Sequence, residues 1–283
     1  MSFTTLIAVD DLKQLIERGE VMLFDCRFDL TAPDAGAAAY RDGHIAGARY
    51  LHLDADLSGP ATGRNGRHPL PDPRDFAATM RAAGLRAGQQ VVAYDDGGGP
   101  YAARLWWLLR WVGHAAVAVL DGGLQAWAAG GNNLEEGEPG AAVPGDFVAR
   151  AQDAAATVDA AAVRANIDAP AFLVVDARTP ERFRGDPNPM DPVAGHIPGA
   201  GNRFFKDNLD ADGRFKSSDR LAGEWRAVLG RGEPSAAVMQ CGSGVTACHN
   251  LLALEVAGLH GARLYPGSWS EWIADPERPV ARG

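Results

Sequence analysis

The sequence predicts an α/β protein made of two tandem copies of one module, each an open, mostly parallel sheet flanked by helices. Gly113 and Trp127 recur 145 residues later as Gly258 and Trp272, in matching surroundings. Within each half, short apolar runs alternate with helical stretches, and this alternation is typical of a parallel sheet covered by helices. The length of 283 residues fits two domains of ordinary size.

Short motifs extend the internal repeat towards the start of each half. Phe-Asp-Cys-Arg at 24–27 corresponds to Val-Asp-Ala-Arg at 175–178, and Gly-His-Ile-Ala-Gly at 43–47 corresponds to Gly-His-Ile-Pro-Gly at 195–199. The stretch between the halves is polar and rich in Gly and Pro, as expected of a linker. The predicted division is a first module at 1–133, a linker at 134–150 and a second module at 151–283.

The strand and helix pattern indicates where chemistry should occur. Ligands of such sheets usually bind beyond the carboxyl ends of the strands. The loops that begin at Asp96 and Cys241 follow predicted strands, and the repeat offset makes Asp96 the counterpart of Cys241. The clearest predicted elements are strands at 172–175 and 236–239 and helices at 74–84 and 219–229.

The loop at Cys241 reads Cys-Gly-Ser-Gly-Val-Thr-Ala and precedes a predicted helix that opens at Cys248. Glycines allow successive backbone N–H groups to converge on an anion, and a helix N-terminus adds further donors. This setting favours a thiolate or a persulfide on Cys241, as nucleophilic catalysis requires. Cys26 and Cys248 are interpreted as structural.

The composition and net charge of the chain limit the kinds of molecule that it is expected to bind. The net charge is −9 and the basic residues are scattered, which argues against a nucleic-acid surface. No apolar stretch reaches the length of a membrane span, and no cysteine or histidine spacing indicates a metal site. We predict no cofactor. Three sparse cysteines and an N-terminus without the pattern of a signal peptide predict a cytoplasmic protein.

The motifs together resemble the two-domain sulfurtransferases of the rhodanese superfamily, over nearly the whole chain. The resemblance rests on the cysteine loop, on Gly-His-Ile-Pro-Gly at 195–199 and on Tyr-Pro-Gly-Ser-Trp at 265–269. It implies an enzyme with its reactive cysteine in the second domain only. Cys241 would take sulfur from a small anionic donor, hold it as a persulfide and pass it to a thiol, cyanide or a thioredoxin-like acceptor.

The residues after Cys241 bear on the donor. Thiosulfate sulfurtransferases usually carry basic residues there, whereas the neutral loop of this chain resembles the mercaptopyruvate group. The resemblance therefore implies 3-mercaptopyruvate as donor. Thiosulfate is the alternative, and a non-catalytic sulfur-carrier or regulatory protein is the second alternative.

The same resemblance implies how the donor is held. An arginine of the second domain clamps the keto-acid carboxylate, and by motif position this is Arg182. A second arginine is usual just before Gly-His-Ile-Pro-Gly, but residues 186–194 contain none. Arg184 is the nearest substitute, although it should not face the same way as Arg182.

The resemblance also implies a relay in which Asp54 orients His68 and His68 adjusts the hydroxyl of Ser243. His44 and His196 occur in both halves, whereas the cysteine does not, so they are interpreted as structural. The remaining loop residues are assigned to substrate binding: Gly242, Gly244, Val245, Thr246 and Ala247.

Overall fold

The computed structural model describes residues 2–150 and 153–283, and the chain divides into two compact units. The division does not follow the chain order throughout, because residues 60–70 belong to unit 2 although they lie in the first half of the sequence. Arg67 and His68 are therefore part of unit 2. Unit 1 comprises Met1–Gly59, Pro71–Asp153 and Ala211–Arg214, and unit 2 comprises Pro60–Leu70, Ala154–Asp210 and Phe215–Gly283.

Unit 1 contains a five-stranded sheet with the strand order β1-β5-β4-β2-β3, and all of its strand pairs are parallel. In chain order its elements are β1 (Leu6–Ile7), α1 (Val9–Glu17), β2 (Val21–Asp25), α2 (Ala35–Asp42), β3 (Arg49–Tyr50), α3 (Leu53–Asp56), α4 (Pro73–Ala82), β4 (Gln90–Tyr94), α5 (Pro100–Trp111), β5 (Val117–Leu120) and α6 (Gly123–Ala129).

Unit 2 contains a four-stranded parallel sheet with the order β7-β6-β8-β9. An isolated parallel bridge joins Thr157 to Leu264 of β9, as β1 joins β5 in unit 1. Its helices and strands are α7 (Ala160–Asp168), β6 (Leu173–Asp176), α8 (Pro180–Arg184), β7 (Gly201–Asn202), α9 (Ser218–Leu229), β8 (Ala237–Gln240), α10 (Thr246–Val256), β9 (Arg263–Leu264) and α11 (Ser268–Trp272), with 3₁₀ turns at Ala154–Ala156, Phe205–Asn208 and Pro234–Ala236.

Each unit has its own apolar core against its sheet. The helices that follow the two central loops, α5 and α10, are buried along most of their length because they are apolar on nearly every face. Parallel sheets flanked by helices in both units confirm the predicted fold class. The unit 1 core includes Ile7, Leu12, Leu23, Val92, Ala118, Leu120 and Trp127. The unit 2 core includes Val163, Val174, Ile197, Val238, Tyr265, Trp269 and Trp272.

The strand registers align the two units residue by residue. In unit 1, Asp25 at the end of β2 lies opposite Tyr94 at the end of β4. In unit 2, Asp176 at the end of β6 lies opposite Gln240 at the end of β8. The residue after Tyr94 therefore corresponds to the residue after Gln240.

This register corrects one sequence prediction. Asp95, and not Asp96, is the counterpart of Cys241. The constant offset failed because α10 has 11 residues and α5 has 12. The offset measured from the residues after these helices, such as Gly113 and Gly258, therefore differs by one residue from the offset of the loops before them.

In the ranges that the structure describes, no helix combines the length and the apolar character that crossing a membrane requires.

Candidate active site

The loop after β4 in unit 1 surrounds the side chain of Asp95 with backbone N–H donors. Its carboxylate is buried and accepts four backbone N–H bonds. Gly97 and Gly99 donate to Oδ1 at 2.9 and 2.8 Å, and Tyr101 and Ala102 donate to Oδ2 at 2.9 and 3.0 Å. Burial raises the pKa of Asp95, although these four bonds oppose the rise. The loop is therefore a cradle of inward-pointing N–H groups around a buried carboxyl group.

Cys241 occupies the corresponding strand end in unit 2. The thiol is 2% exposed, and the N–H of Gly244 donates to its Sγ at 3.1 Å. Gly244 has a φ of +78°, and a Cβ on it would lie 2.3 Å from the carbonyl oxygen of Pro266. Only glycine fits this conformation and this close approach. The sulfur thus faces a backbone donor, as the Asp95 carboxylate does.

The rest of the loop closes around the cysteine. Gly242, Ser243 and Val245 are buried, and α10 begins at Thr246. The helix therefore opens two residues earlier than the predicted start at Cys248. Ala247 is buried in its first turn. The predicted binding residues from Gly242 to Ala247 all lie in this loop or in the first turn of α10.

The start of α11 fastens the cysteine loop. The N–H of Cys241 donates to Ser268 Oγ at 3.1 Å, and the N–H groups of Trp269 and Ser270 donate to the carbonyls of Cys241 and Gly242 at 3.0 and 2.9 Å. Ser268 has a φ of +53° and is the only non-glycine residue with positive φ in the described ranges. Such strain is stored mainly at functional sites. Its place in the Tyr-Pro-Gly-Ser-Trp motif at 265–269 was the one signal in the sequence that pointed to Ser268.

His68 and Ser243 lie in contact within unit 2. His68 Nδ1 and Ser243 Oγ are 2.7 Å apart, and both residues are 5% exposed. The direction of the bond depends on the tautomer of the imidazole. Asp54 lies in α3 of unit 1, where its backbone N–H donates to His52 Nδ1 at 3.1 Å. Its part in the relay stays a prediction.

Arg182 is held by a buried carboxylate that the sequence reasoning missed. Asp191 Oδ2 accepts from Arg182 Nη2 at 2.6 Å and Nε at 2.9 Å, and from Arg178 Nη1 at 3.3 Å. Asp191 Oδ1 accepts from Arg67 Nη1 at 3.4 Å. Burial alone would raise the pKa of Asp191, but Arg182, Arg178 and Arg67 lower it below its ordinary value. Asp191 is therefore an ionised anchor for three guanidinium groups.

Arg178 connects this cluster to the cysteine. It forms a forked ion pair with Asp176, with Nη2 2.7 Å from Oδ2, and its guanidinium lies 4.7 Å from the ring centre of Trp269. Burial would lower the pKa of Arg178, but Asp176, Asp191 and Cys241 raise it. Arg178 therefore links the carboxylates of Asp176 and Asp191 to the surroundings of Cys241.

Arg184 does not join the cluster. Its side chain is 49% exposed and pairs with Asp186 at 3.3 Å and Glu181 at 3.7 Å on the surface. Residues 186–194 supply the carboxylate of Asp191 instead of an arginine. The suggestion that Arg184 replaces the missing arginine is wrong, because the two arginines on α8 face different surroundings.

The repeated histidines have equivalent contacts in the two units. His44 Nδ1 lies 2.8 Å from the carbonyl oxygen of Tyr40 and stacks on its ring, and His196 Nδ1 lies 2.7 Å from that of Phe183 and stacks likewise. These contacts explain why the histidines recur without the cysteine. All three cysteines are buried thiols that form no disulfide, and Cys248 donates to the carbonyl oxygen of Gly244 at 3.3 Å.

The chain is similar to known proteins over almost its whole length. The model of the rhodanese-like domain matches residues 8–130 and 159–275. The chain is 50% identical to a probable 3-mercaptopyruvate sulfurtransferase of Pseudomonas aeruginosa, with 100% of both chains covered. It is 41% identical to the putative thiosulfate sulfurtransferase SseB of Mycobacterium tuberculosis, over 98% of this chain and 97% of that protein. The structure of 3-mercaptopyruvate sulfurtransferase from Leishmania major superposes with a TM-score of 0.86 at 30% identity, covering 98% of this chain and 75% of that one.

Proposed function

This chain belongs to the rhodanese family and is a sulfurtransferase, and on that premise we propose that it takes sulfur from 3-mercaptopyruvate through a persulfide on Cys241. The observation that carries the proposal is the position of Arg182. Its Nη2 lies 3.1 Å from the point that a Cβ on Gly242 would occupy, so a guanidinium group that Asp191 holds in place lies beside the residue that follows the nucleophile and can donate an N–H to a carboxylate there.

The first half-reaction breaks a carbon–sulfur bond and forms a sulfur–sulfur bond. The Cys241 thiolate attacks the donor sulfur, the electron pair of the C–S bond passes to the carbon as an enolate, and the thiol proton of the donor ends on that carbon. The products are pyruvate and a Cys241 persulfide anion. In this mechanism, the N–H of Gly244 and the positive charge of Arg178 stabilise the persulfide anion.

Ser243 and His68 supply a route for the proton. The 2.7 Å contact allows the hydroxyl to exchange a proton with the imidazole while the enolate is protonated. We propose this pair as the acid–base group of the site, and we keep Asp54 as its predicted third member.

The second half-reaction restores the cysteine. An acceptor thiolate or cyanide attacks the outer sulfur of the persulfide, and Cys241 leaves as the thiolate. We propose small thiols, cyanide and thioredoxin-like proteins as the acceptors, and the cytoplasm as the location. Three cysteines that form no disulfide are compatible with a reducing compartment.

Thiosulfate is a second candidate donor, because a relative that is 41% identical is named a putative thiosulfate sulfurtransferase. A guanidinium cluster also binds a sulfonate. The neutral side chains of the loop after Cys241 favour the keto acid.

The test is kcat/KM for 3-mercaptopyruvate and for thiosulfate with one common acceptor. We expect the unmodified protein to prefer 3-mercaptopyruvate, Cys241→Ser to lose both activities, and the matched control Cys26→Ala to keep them. A preference for thiosulfate would refute the donor and leave the enzyme class in place. Full activity of Cys241→Ser would refute the nucleophile.

A further inference from the structure

We propose that Arg67 is the second arginine of the donor site and binds the donor carboxylate together with Arg182. The inference rests on the proposed function, because it assigns a residue to the carboxylate of the same keto acid. Arg67 lies in the segment 60–70, far in sequence from Arg182 and within the same unit.

The two guanidinium groups meet beside the cysteine loop. A Cβ on Gly242 would lie 2.9 Å from Arg67 Nη2 and 3.1 Å from Arg182 Nη2. Both Nη2 atoms therefore lie beside Gly242, the residue that follows Cys241. A carboxylate bound next to these two atoms accepts an N–H from each guanidinium group, which fixes its orientation as well as its position.

The hydrogen bonds of Arg67 leave this edge of the group available. Its Nη1 donates to the carbonyl oxygen of Met190 at 2.9 Å and to Asp191 Oδ1 at 3.4 Å. Nη2 donates to no protein atom in the described ranges, although it points at the cysteine loop. The side chain is 35% exposed, so a solute can reach it.

Asp191 acts as the positioning residue for both arginines. Its side chain is fully buried, with Oδ1 towards Arg67 and Oδ2 towards Arg182. A carboxylate shared in this way fixes the spacing of the two forks before the donor arrives, and preorganisation of this kind lowers the entropic cost of binding. This is the role of the stretch 186–194, which has no arginine of its own.

The charges of the cluster match a small anion. Arg67, Arg178 and Arg182 carry three positive charges, and Asp176 and Asp191 carry two negative ones. The remaining positive charge offsets the Cys241 thiolate, so an anionic donor meets no net negative charge at the cysteine loop of a protein whose net charge is −9.

Close backbone packing holds Arg67 in this place. Gly66 has a φ of +88°, and a Cβ on it would lie 2.8 Å from the carbonyl oxygen of Gly267. The N–H of Arg67 donates to Ser270 Oγ at 3.0 Å. The same anchored segment carries His68, so one short stretch of chain brings both the carboxylate ligand and the acid–base group to the cysteine.

The experiment compares Arg67→Met and Arg67→Lys with Arg64→Met, which removes an exposed arginine from the same segment. Each protein is assayed for KM and kcat with 3-mercaptopyruvate and for the inhibition constant of pyruvate, which carries the same keto-acid carboxylate. Arg67→Met should raise KM and the inhibition constant in parallel, by about 10- to 100-fold, with kcat changed less than about threefold. Arg67→Lys should fall between Arg67→Met and the unmodified protein, and Arg64→Met should match the unmodified protein.

Three outcomes would overturn the assignment: an unchanged inhibition constant in Arg67→Met, a loss confined to kcat, or an equal rise in Arg64→Met. A loss of kcat alone would mean that Arg67 only supports His68. The unmodified protein is assayed first, because its failure to use 3-mercaptopyruvate would refute the proposed donor independently of Arg67.

Discussion

Replacing Gly244 with alanine tests whether the backbone cradle at Cys241 depends on a conformation that only glycine adopts. The φ of +78° costs an alanine about 1–2 kcal/mol. Its Cβ would also lie 2.3 Å from the carbonyl oxygen of Pro266, and relieving such an overlap costs about 1–3 kcal/mol more. We therefore expect Gly244→Ala to lower the free energy of unfolding of unit 2 by about 2–5 kcal/mol.

Gly223→Ala is the matched control. Gly223 lies inside α9 with open space around the position of a Cβ, so alanine should stabilise the helix by about 0.5–1 kcal/mol. The two units need not unfold together, so hydrogen exchange of peptides from unit 2 is the appropriate measurement. Exchange should be faster in Gly244→Ala and unchanged or slower in Gly223→Ala.

Activity provides the second readout of Gly244→Ala. The backbone shift moves the N–H that lies 3.1 Å from Cys241 Sγ, so persulfide formation should slow by at least about tenfold. Stability and activity equal to those of the unmodified protein would refute the account of the cradle. So would an equal loss of stability in Gly223→Ala, since that would separate the effect from the conformation of Gly244.

Two further predictions concern stability. Asp95→Asn should lower the free energy of unfolding of unit 1 by about 2 kcal/mol, because an amide nitrogen in place of Oδ2 leaves the N–H groups of Tyr101 and Ala102 without an acceptor. A variant that is more stable in chemical denaturation would contradict this prediction. Glu224 accepts from three basic side chains, which lower its pKa to about 2 against the opposing effect of burial. The ion pairs of Glu224 contribute stability above its unfolded pKa, near 4.5, and this contribution is lost as pH falls towards 2. Glu224→Gln should therefore flatten the decline of the melting temperature between these pH values, and an unaltered decline would contradict the prediction.

The fold class and the reactive loop were predictable because both depend on local patterns. Strand–helix alternation and the internal repeat lie in consecutive residues, and the glycines around Ser243 mark a loop whose backbone must turn sharply. The contact between Ser243 and His68 was predictable only through the family resemblance, because 175 residues separate them. The domain boundaries at 133 and 150 stay predictions.

The carboxylate site could not be predicted from the sequence, because it is assembled by long-range packing. Arg67 lies near Arg182 only because residues 60–70 pack in unit 2. No periodic pattern in the sequence shows that this segment belongs to unit 2. Asp191 sits in a stretch that reads as a polar, proline-rich loop. The sequence did contain one indication of the role of Arg67, because Arg67 directly precedes His68. Any fold that brings His68 to Ser243 also brings Arg67 close to the cysteine loop.

Persulfide formation on Cys241 can be tested by mass spectrometry of peptides from the protein after one equivalent of 3-mercaptopyruvate is added without an acceptor. We expect one equivalent of pyruvate and one added sulfur atom on the peptide that contains Cys241, with none on the peptides of Cys26 or Cys248. Release of pyruvate without sulfur on Cys241, or sulfur found on Cys248 instead, would contradict it.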